Sequence, residues 1–312
     1  SSMIKLFLRL ILGFCVVSVL LIVAITWTFA PELPPGVVKK TASVVCGNDK
    51  IDVEFYYKKQ TVPQPMVVVA HGFSRSKRYM AGLGSDLASD GMIAAVLTQP
   101  SWFNHSRNAA AIVELARIGR EGRCPIDAKG NGKLGLVGFS MGGLTSLLAA
   151  ASLSPALDAW VGLDPVDFGG LGAAKAARVT APGLVLLAAT PPFNFHGSAR
   201  RLVRDYAGPL QIMTIKDSTH CDMESPTDLL GQLACGWVKP GPQACFRATI
   251  RKFLHDAFAG NSSSGFTLSE DLELVRTQQR GFATFKSSDG EVRLRAHLAP
   301  STYRAKLLST IP

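Results

Sequence analysis

Ser140 stands in Gly138-Phe139-Ser140-Met141-Gly142-Gly143. A serine hydroxyl is a weak nucleophile at neutral pH. Chemistry at such a residue needs exposed presentation, an adjacent base and donors for a developing oxyanion. The flanks meet the first need. Leu134-Gly135-Leu136-Val137 reads as a short buried strand, and Leu144 to Ala151 as a helix rich in small residues. Strand, Gly-x-Ser-x-Gly, helix is the pattern that puts a serine on a sharp turn above a sheet edge. Gly138 and Gly142 leave room for strand and helix to close up behind it. The start of the helix aims unpaired N–H groups and positive dipole at the place where an oxyanion forms.

The base must be a histidine and its orienting partner a carboxylate, in the chain order Ser, then Asp or Glu, then His. That order excludes His71 and His105. His220 follows the strand-like run Leu210 to Ile215 across the loop Lys216-Asp217-Ser218-Thr219, which places it at the C-terminal edge of a parallel sheet, where ligands bind. His196, after Pro191-Pro192-Phe193-Asn194-Phe195, is the second choice; His255 reads as the surface of an amphipathic helix over Phe246 to Phe258, and His297 as part of an alternating strand. For the acid, the strand Gly183 to Ala189 runs into a carboxylate-free loop. The preceding strand, Ala159 to Leu163, runs straight into Asp164-Pro165-Val166-Asp167. Asp164 is therefore the expected acid and Asp167 the alternative, with Asp217 and Asp222 close enough to His220 to compete. A turn-forming Asp-Pro is the plainer explanation of Asp164.

Two donors must hold the oxyanion. One is the backbone N–H of Met141, directly after the serine. The other is expected from the loop after Met66-Val67-Val68-Val69-Ala70, whose unbroken apolar run marks a strand buried on both faces. That strand ends in His71-Gly72-Phe73; Gly72 allows the turn, Phe73 offers its N–H, and His71 braces the loop.

Taken together, Val-Val-Ala-His-Gly-Phe, Gly-Phe-Ser-Met-Gly-Gly, Gly-Leu-Asp-Pro-Val-Asp and Thr-His-Cys-Asp-Met-Glu resemble the α/β-hydrolase superfamily, in its chlorophyllase-like and dienelactone-hydrolase-like esterase branches. Gly162 to Asp167 is similar to the chlorophyllase aspartate segment, and His220 with Asp222 and Met223 to the stretch around its histidine. The likeness spans about residues 42 to 258. It implies a doubly wound, mostly parallel sheet with helices on both faces, and a serine carboxylesterase or lipase built on Ser140, His220 and Asp164. Chlorophyllases carry His and Arg where this chain has Phe139 and Met141, so the likeness does not extend to a porphyrin ester. The same three residues also suit acyl transfer to an alcohol, and a non-catalytic anchored binding protein could keep the fold without the chemistry.

The whole chain fits this reading. Its 312 residues, 47% hydrophobic, suffice for one large α/β domain, expected over 37–260. Residues 1–36 form a separate leader. Lys5 and Arg9 precede an uncharged run from Leu10 to Ala30, long enough to span a bilayer, and Pro31-Glu32-Leu33-Pro34-Pro35-Gly36 follows as a linker. An uncleaved anchor with the catalytic domain outside the cytoplasm is expected, a cleaved export signal being the competing reading. Residues 261–312 read as a polar connection followed by a hairpin around Ser-Ser-Asp-Gly. Five of the six cysteines lie outside the leader; a bridge is expected between Cys235 and Cys245 or between Cys221 and Cys235. A formal charge of +10 is consistent with solvated helix faces or with attraction to anionic lipid, and Arg75, Lys77 and Arg78 are expected near the mouth of the site. No nucleic-acid motif accompanies the charge. No Cys-x-x-Cys or His-Glu-x-x-His occurs, and a serine triad needs no cofactor or metal, so the expected partners are small-molecule or lipid esters with an apolar part. Trp102, Phe103, Trp160, Phe168, Phe193 and Phe195 are expected in loops or strand ends near the site, the plainer reading being that several belong to the core.

Overall fold

The computed structural model describes residues 11, 12, 14, 17, 18, 30–153, 157–188, 198–261, 272–276, 282–287 and 290–296. Most of the apolar leader, the segment from 189 to 197 that includes His196, Phe193 and Phe195, and His297 lie outside the described residues. Among those described, no helix is long and apolar enough to cross a membrane.

Eleven strands form one sheet. They are β1 (Val37–Cys46), β2 (Asp49–Lys58), β3 (Gln64–Ala70), β4 (Ile93–Leu97), β5 (Gly130–Phe139), β6 (Ala159–Leu163), β7 (Gly183–Ala188), β8 (Leu210–Ile215), β9 (Leu272–Arg276), β10 (Phe282–Ser287) and β11 (Gly290–Ala296). Their order is β1-β2-β4-β3-β5-β6-β7-β8-β11-β10-β9. The central block from β4 to β8 is parallel. An antiparallel pair, β1 and β2, closes one side, and β11 pairs antiparallel with β8 on the other. The chain enters β1 at Val37, opposite Lys58, which is the edge away from the C-terminal ends of the parallel strands.

Both faces of the parallel block are covered, which explains its unbroken apolar runs. In β3, Met66, Val68 and Ala70 join the core on one face, while Val67 and Val69 join the core on the other. The first face carries α2 (His105–Arg120), α3 (Met141–Leu153) and the short α4 (Ala173–Ala176) and α5 (Ala199–Leu202). The second carries α1 (Ala81–Ser89) and α7 (Pro240–Phe258). A further short helix, α6 (Leu229–Cys235), lies in the chain between β8 and α7. Because α3 is buried all around, it is apolar on every side rather than amphipathic.

Capping sets where two helices begin, and the second of them starts ahead of the expected Phe246. α2 starts at His105 because the Asn104 side chain accepts the Arg107 N–H. α7 starts at Pro240, where a missing N–H costs nothing in a first turn. After β3 the chain crosses to β4 on one side and then returns to β5 on the other. That reversal opens a crevice beyond the C-terminal ends of β3 and β5, the usual ligand position in open α/β sheets.

Candidate active site

The crevice is occupied by the expected turn. Ser140 has φ of 53°, left-handed backbone that an L side chain adopts only under constraint. Glycine makes the constraint possible. A Cβ on Gly138 would lie 2.1 Å from the Gly142 carbonyl oxygen, and one on Gly142 would lie 2.4 Å from that of His71. Strand β5 and helix α3 can pack at this turn only because neither residue carries a side chain. Backbone bonds then fix the serine to its neighbours: Ser140 N–H donates to Leu163 O at 2.8 Å, and Ser140 O accepts from Gly143 N–H at 2.9 Å.

Asp164, at the end of β6, is fully buried and also has positive φ, 39°. Its N–H donates to Leu186 O of β7 at 2.6 Å, and its Oδ2 lies 2.6 Å from Nδ1 of His220. A carboxylate in that position makes Nδ1 the donor and leaves Nε2 of His220 as the basic nitrogen. His220 packs against the Phe139 ring, centroids 4.7 Å apart, and lines one cavity together with Ser140 and Met141.

The competing acids have other tasks. Asp167 accepts from the N–H groups of Gly172 at 2.8 Å and Ala173 at 3.3 Å, capping the turn that leads into α4. Asp222 accepts from Thr219 N–H and Lys239 N–H, each at 2.5 Å, and so clamps the loop that carries His220 to the start of α7. Asp217 supplies its carbonyl oxygen to the Lys239 ammonium. Among the described residues, Ser74, Ser140, Asp164 and Asp217 are the non-glycine residues with positive φ, and all four belong to loops at this edge.

The loop after β3 comes close to the serine. A Cβ on Gly72 would meet the Phe139 ring at 3.1 Å and Ser140 Cβ at 3.3 Å. Phe73 follows it on the cavity wall, and Met141, the first residue of α3, contributes an N–H from the unpaired first turn. His71 is buried and held at both nitrogens: Nδ1 lies 2.7 Å from Gly72 O, and Nε2 accepts from Gln99 N–H at 2.9 Å. Burial pushes its pKa down to about 4, against the opposing pull of the Gly72 carbonyl and with help from the Arg75 and Lys77 charges. The ring is therefore neutral, as a brace requires. Gln99 completes the brace by donating to His71 O at 2.6 Å and accepting from Thr145 Oγ1 of α3 at 2.7 Å. The sequence reading missed Gln99; a polar residue closing the apolar run of β4 is the only local trace it leaves.

Of the residues expected around the site, Arg75 lies on the cavity wall, with its charge engaged, and Trp160 is a correction. The Arg75 guanidinium forms a bidentate pair with Glu224, at 2.7 and 2.8 Å, reaches Asp228 at 3.2 Å and stacks over Tyr79. Burial raises the Glu224 pKa despite the arginine, whereas Asp228 is held below its ordinary value because Tyr79, Gly231 N–H and Arg75 together outweigh burial. Trp160 does not line the pocket: it is buried beneath α3, donates to Ser146 Oγ at 3.1 Å and stacks on Tyr206. The disulfide joins Cys221 to Cys235, tying the residue after His220 to the end of α6.

The cavity measures about 660 Å³. Phe73, Trp102, Phe103 and Phe168 form an exposed aromatic rim, with Phe73 5.5 Å from Phe103 and 6.0 Å from Trp102 between ring centroids. Leu230 and Ala234 of α6 form another part of the wall. Among the described residues, no cluster of His, Cys, Asp or Glu is arranged to hold a metal ion.

No protein-family model matches the sequence, and no curated protein is similar to it by sequence. The structure is similar to the crystal structure of a dienelactone hydrolase from Anabaena variabilis ATCC 29413, with a TM-score of 0.55 and 16% identity over 70% of this chain and 98% of that one. The order of strands, the helices on both faces and this likeness identify the α/β-hydrolase fold.

Proposed function

We propose that this α/β-hydrolase-fold chain is a serine hydrolase acting on carboxylic esters with an apolar part. The observation that carries the reading is the buried Asp164 carboxylate, 2.6 Å from Nδ1 of a His220 that shares its cavity with a strained Ser140. Ser140 Oγ attacks the ester carbonyl carbon while Nε2 of His220 takes the hydroxyl proton. Asp164 stabilises the resulting imidazolium and keeps the ring oriented. The N–H groups of Phe73 and Met141 hold the oxyanion. Collapse of the tetrahedral adduct expels the alcohol, which leaves with the proton from His220. Water, deprotonated by the same nitrogen, then attacks the acyl-enzyme, the acid departs and Ser140 regains its proton.

The aromatic rim and cavity volume favour medium-length or cyclic apolar groups over small polar ones. Hydrolysis of p-nitrophenyl esters of two to ten acyl carbons by wild type and Ser140→Ala tests the assignment. Loss of at least about a thousandfold in kcat is expected in the variant; equal rates in the two proteins would remove Ser140 from the chemistry. Adding an alcohol and analysing products separates hydrolysis from acyl transfer.

A further inference from the structure

The two N–H groups assigned to the oxyanion belong to different elements, Phe73 to the loop after β3 and Met141 to α3. A trans peptide sets its N–H opposite its own carbonyl, so whatever grips the carbonyl aims the donor. For Met141 that carbonyl is Ser140 O, which accepts from Gly143 N–H at 2.9 Å and Val166 N–H at 3.3 Å. Both grips are main chain. For Phe73 the carbonyl is Gly72 O, and the atom beside it is Nδ1 of His71, at 2.7 Å.

The role of Nδ1 is decided on the far side of the ring. Gln99 N–H can only donate, so Nε2 of His71 accepts and the single proton of the neutral ring sits on Nδ1. Nδ1–H then donates to Gly72 O and aims Phe73 N–H the other way. The Gln99 side chain makes a second link. Its amide N–H donates to His71 O at 2.6 Å, and its Oε1 accepts from Thr145 Oγ1 at 2.7 Å. Thr145 stands one turn after Met141 in α3 and is fully buried, and Gln99 is only 8% exposed. Leaving either end of a buried amide unpaired is costly, so both links hold together. One residue therefore joins the loop that carries the first donor to the helix that carries the second.

We propose that Gln99 is the positioning residue of the oxyanion site, its side-chain amide setting the spacing between Phe73 N–H and Met141 N–H so that both reach one oxygen. The proposal rests on the esterase reading and deepens it. Gln99 lies behind the cavity wall, so its effect runs through the two donors and not through contact with substrate. An oxyanion exists only after attack on the carbonyl. A wrong spacing therefore lowers kcat and leaves KM nearly alone.

Gln99→Met keeps the length of the side chain and removes both of its links. It should lower kcat for p-nitrophenyl esters by about tenfold to a hundredfold, less than the loss of a whole donor, with KM within about twofold of wild type. Thr145→Val removes one link at nearly constant shape and should lower kcat in the same direction. Combined with Gln99→Met it should add nothing, because the two residues act through one bond. Gln99→Glu supplies a signature that a general loss of packing would not. A protonated carboxyl still donates to His71 O and accepts from Thr145, whereas an ionised one cannot donate. Its kcat, taken relative to wild type at the same pH, should therefore rise as pH falls. The amide resonances of Phe73 and Met141 in the substrate-free protein read the coupling without turnover, and both should move in Gln99→Met and in Thr145→Val. Ester turnover with kcat unchanged in these two variants, or with a loss carried by KM, would overturn the positioning role and leave the esterase reading standing. Movement of both resonances without turnover of any ester would keep the coupling and remove the esterase reading.

Discussion

Ser140 and His220 reach the same cavity on supports of opposite kind. The serine half is held by backbone: left-handed Ser140, glycines 138 and 142 without room for a Cβ, and main-chain bonds to Leu163 and Gly143. The histidine half is held by side chains. Asp222 clamps the loop, Cys221 is bonded to Cys235, and Arg75 binds Glu224 and Asp228 across 149 and 153 residues of sequence. A turn whose constraint shows as two glycines flanking the serine can be read from those residues, even though the backbone that crowds Gly142 comes from β3. A loop positioned by partners distant in the chain cannot.

The contrast also separates two kinds of carboxylate, and the largest expected effect tests that distinction. Asp164→Asn should lower kcat by about a thousand- to ten-thousandfold, because the amide no longer holds His220 in the tautomer that accepts the serine proton. Asp167→Asn should change kcat less than about threefold and leave the urea unfolding free energy nearly unchanged, because an asparagine oxygen can still accept from the turn N–H groups. A larger loss of kcat in Asp167→Asn would exchange the two roles.

Arg75→Met breaks the histidine half alone. It strands the Glu224 and Asp228 carboxylates in a buried setting, at a cost of about 3–5 kcal/mol of unfolding free energy. Hydrogen exchange should show protection lost over residues 218–235 and kept over 134–153. Equal loss in both segments would mean that the two halves share one support.

A smaller effect belongs to the serine half. His71 is neutral in the fold with a pKa of about 4, against about 6.5 unfolded, so the unfolded chain binds the extra proton first as pH falls. Its contribution is fully present above about pH 6.5 and is lost progressively as pH falls through about 4, amounting to about 3 kcal/mol at most. His71→Gln should flatten the dependence of unfolding free energy on pH across that window; identical slopes in both proteins would remove His71 as a buried neutral brace.

What could be read from the sequence follows the same division. The parallel strands were legible because burial on both faces demands unbroken apolar runs, as in Met66 to Ala70. The serine turn was legible because Gly138 and Gly142 are the only residue type that fits there. The place of Asp164 at the end of β6 was readable, whereas its 2.6 Å approach to Nδ1 of His220 is supplied only by the fold. Gln99, the engagement of Arg75 and the burial of Trp160 beneath α3 were hidden. Each depends on contacts between elements far apart in sequence, and none alters a local apolar period. His105 was set aside by chain order as a base. Its place on the cavity wall follows from the Asn104 cap, which starts α2 at the rim.

The central claim is that Ser140 is a nucleophile activated through His220 and Asp164. The most direct measurement is the rate and site of covalent labelling of the folded protein by a fluorophosphonate, with the modified peptide identified by mass spectrometry. The account predicts one label per chain, on Ser140, abolished in Ser140→Ala and slowed by at least a hundredfold in Asp164→Asn, an order of magnitude set by the role of the orienting acid. Labelling elsewhere, or none on protein shown by circular dichroism to be folded, would contradict it.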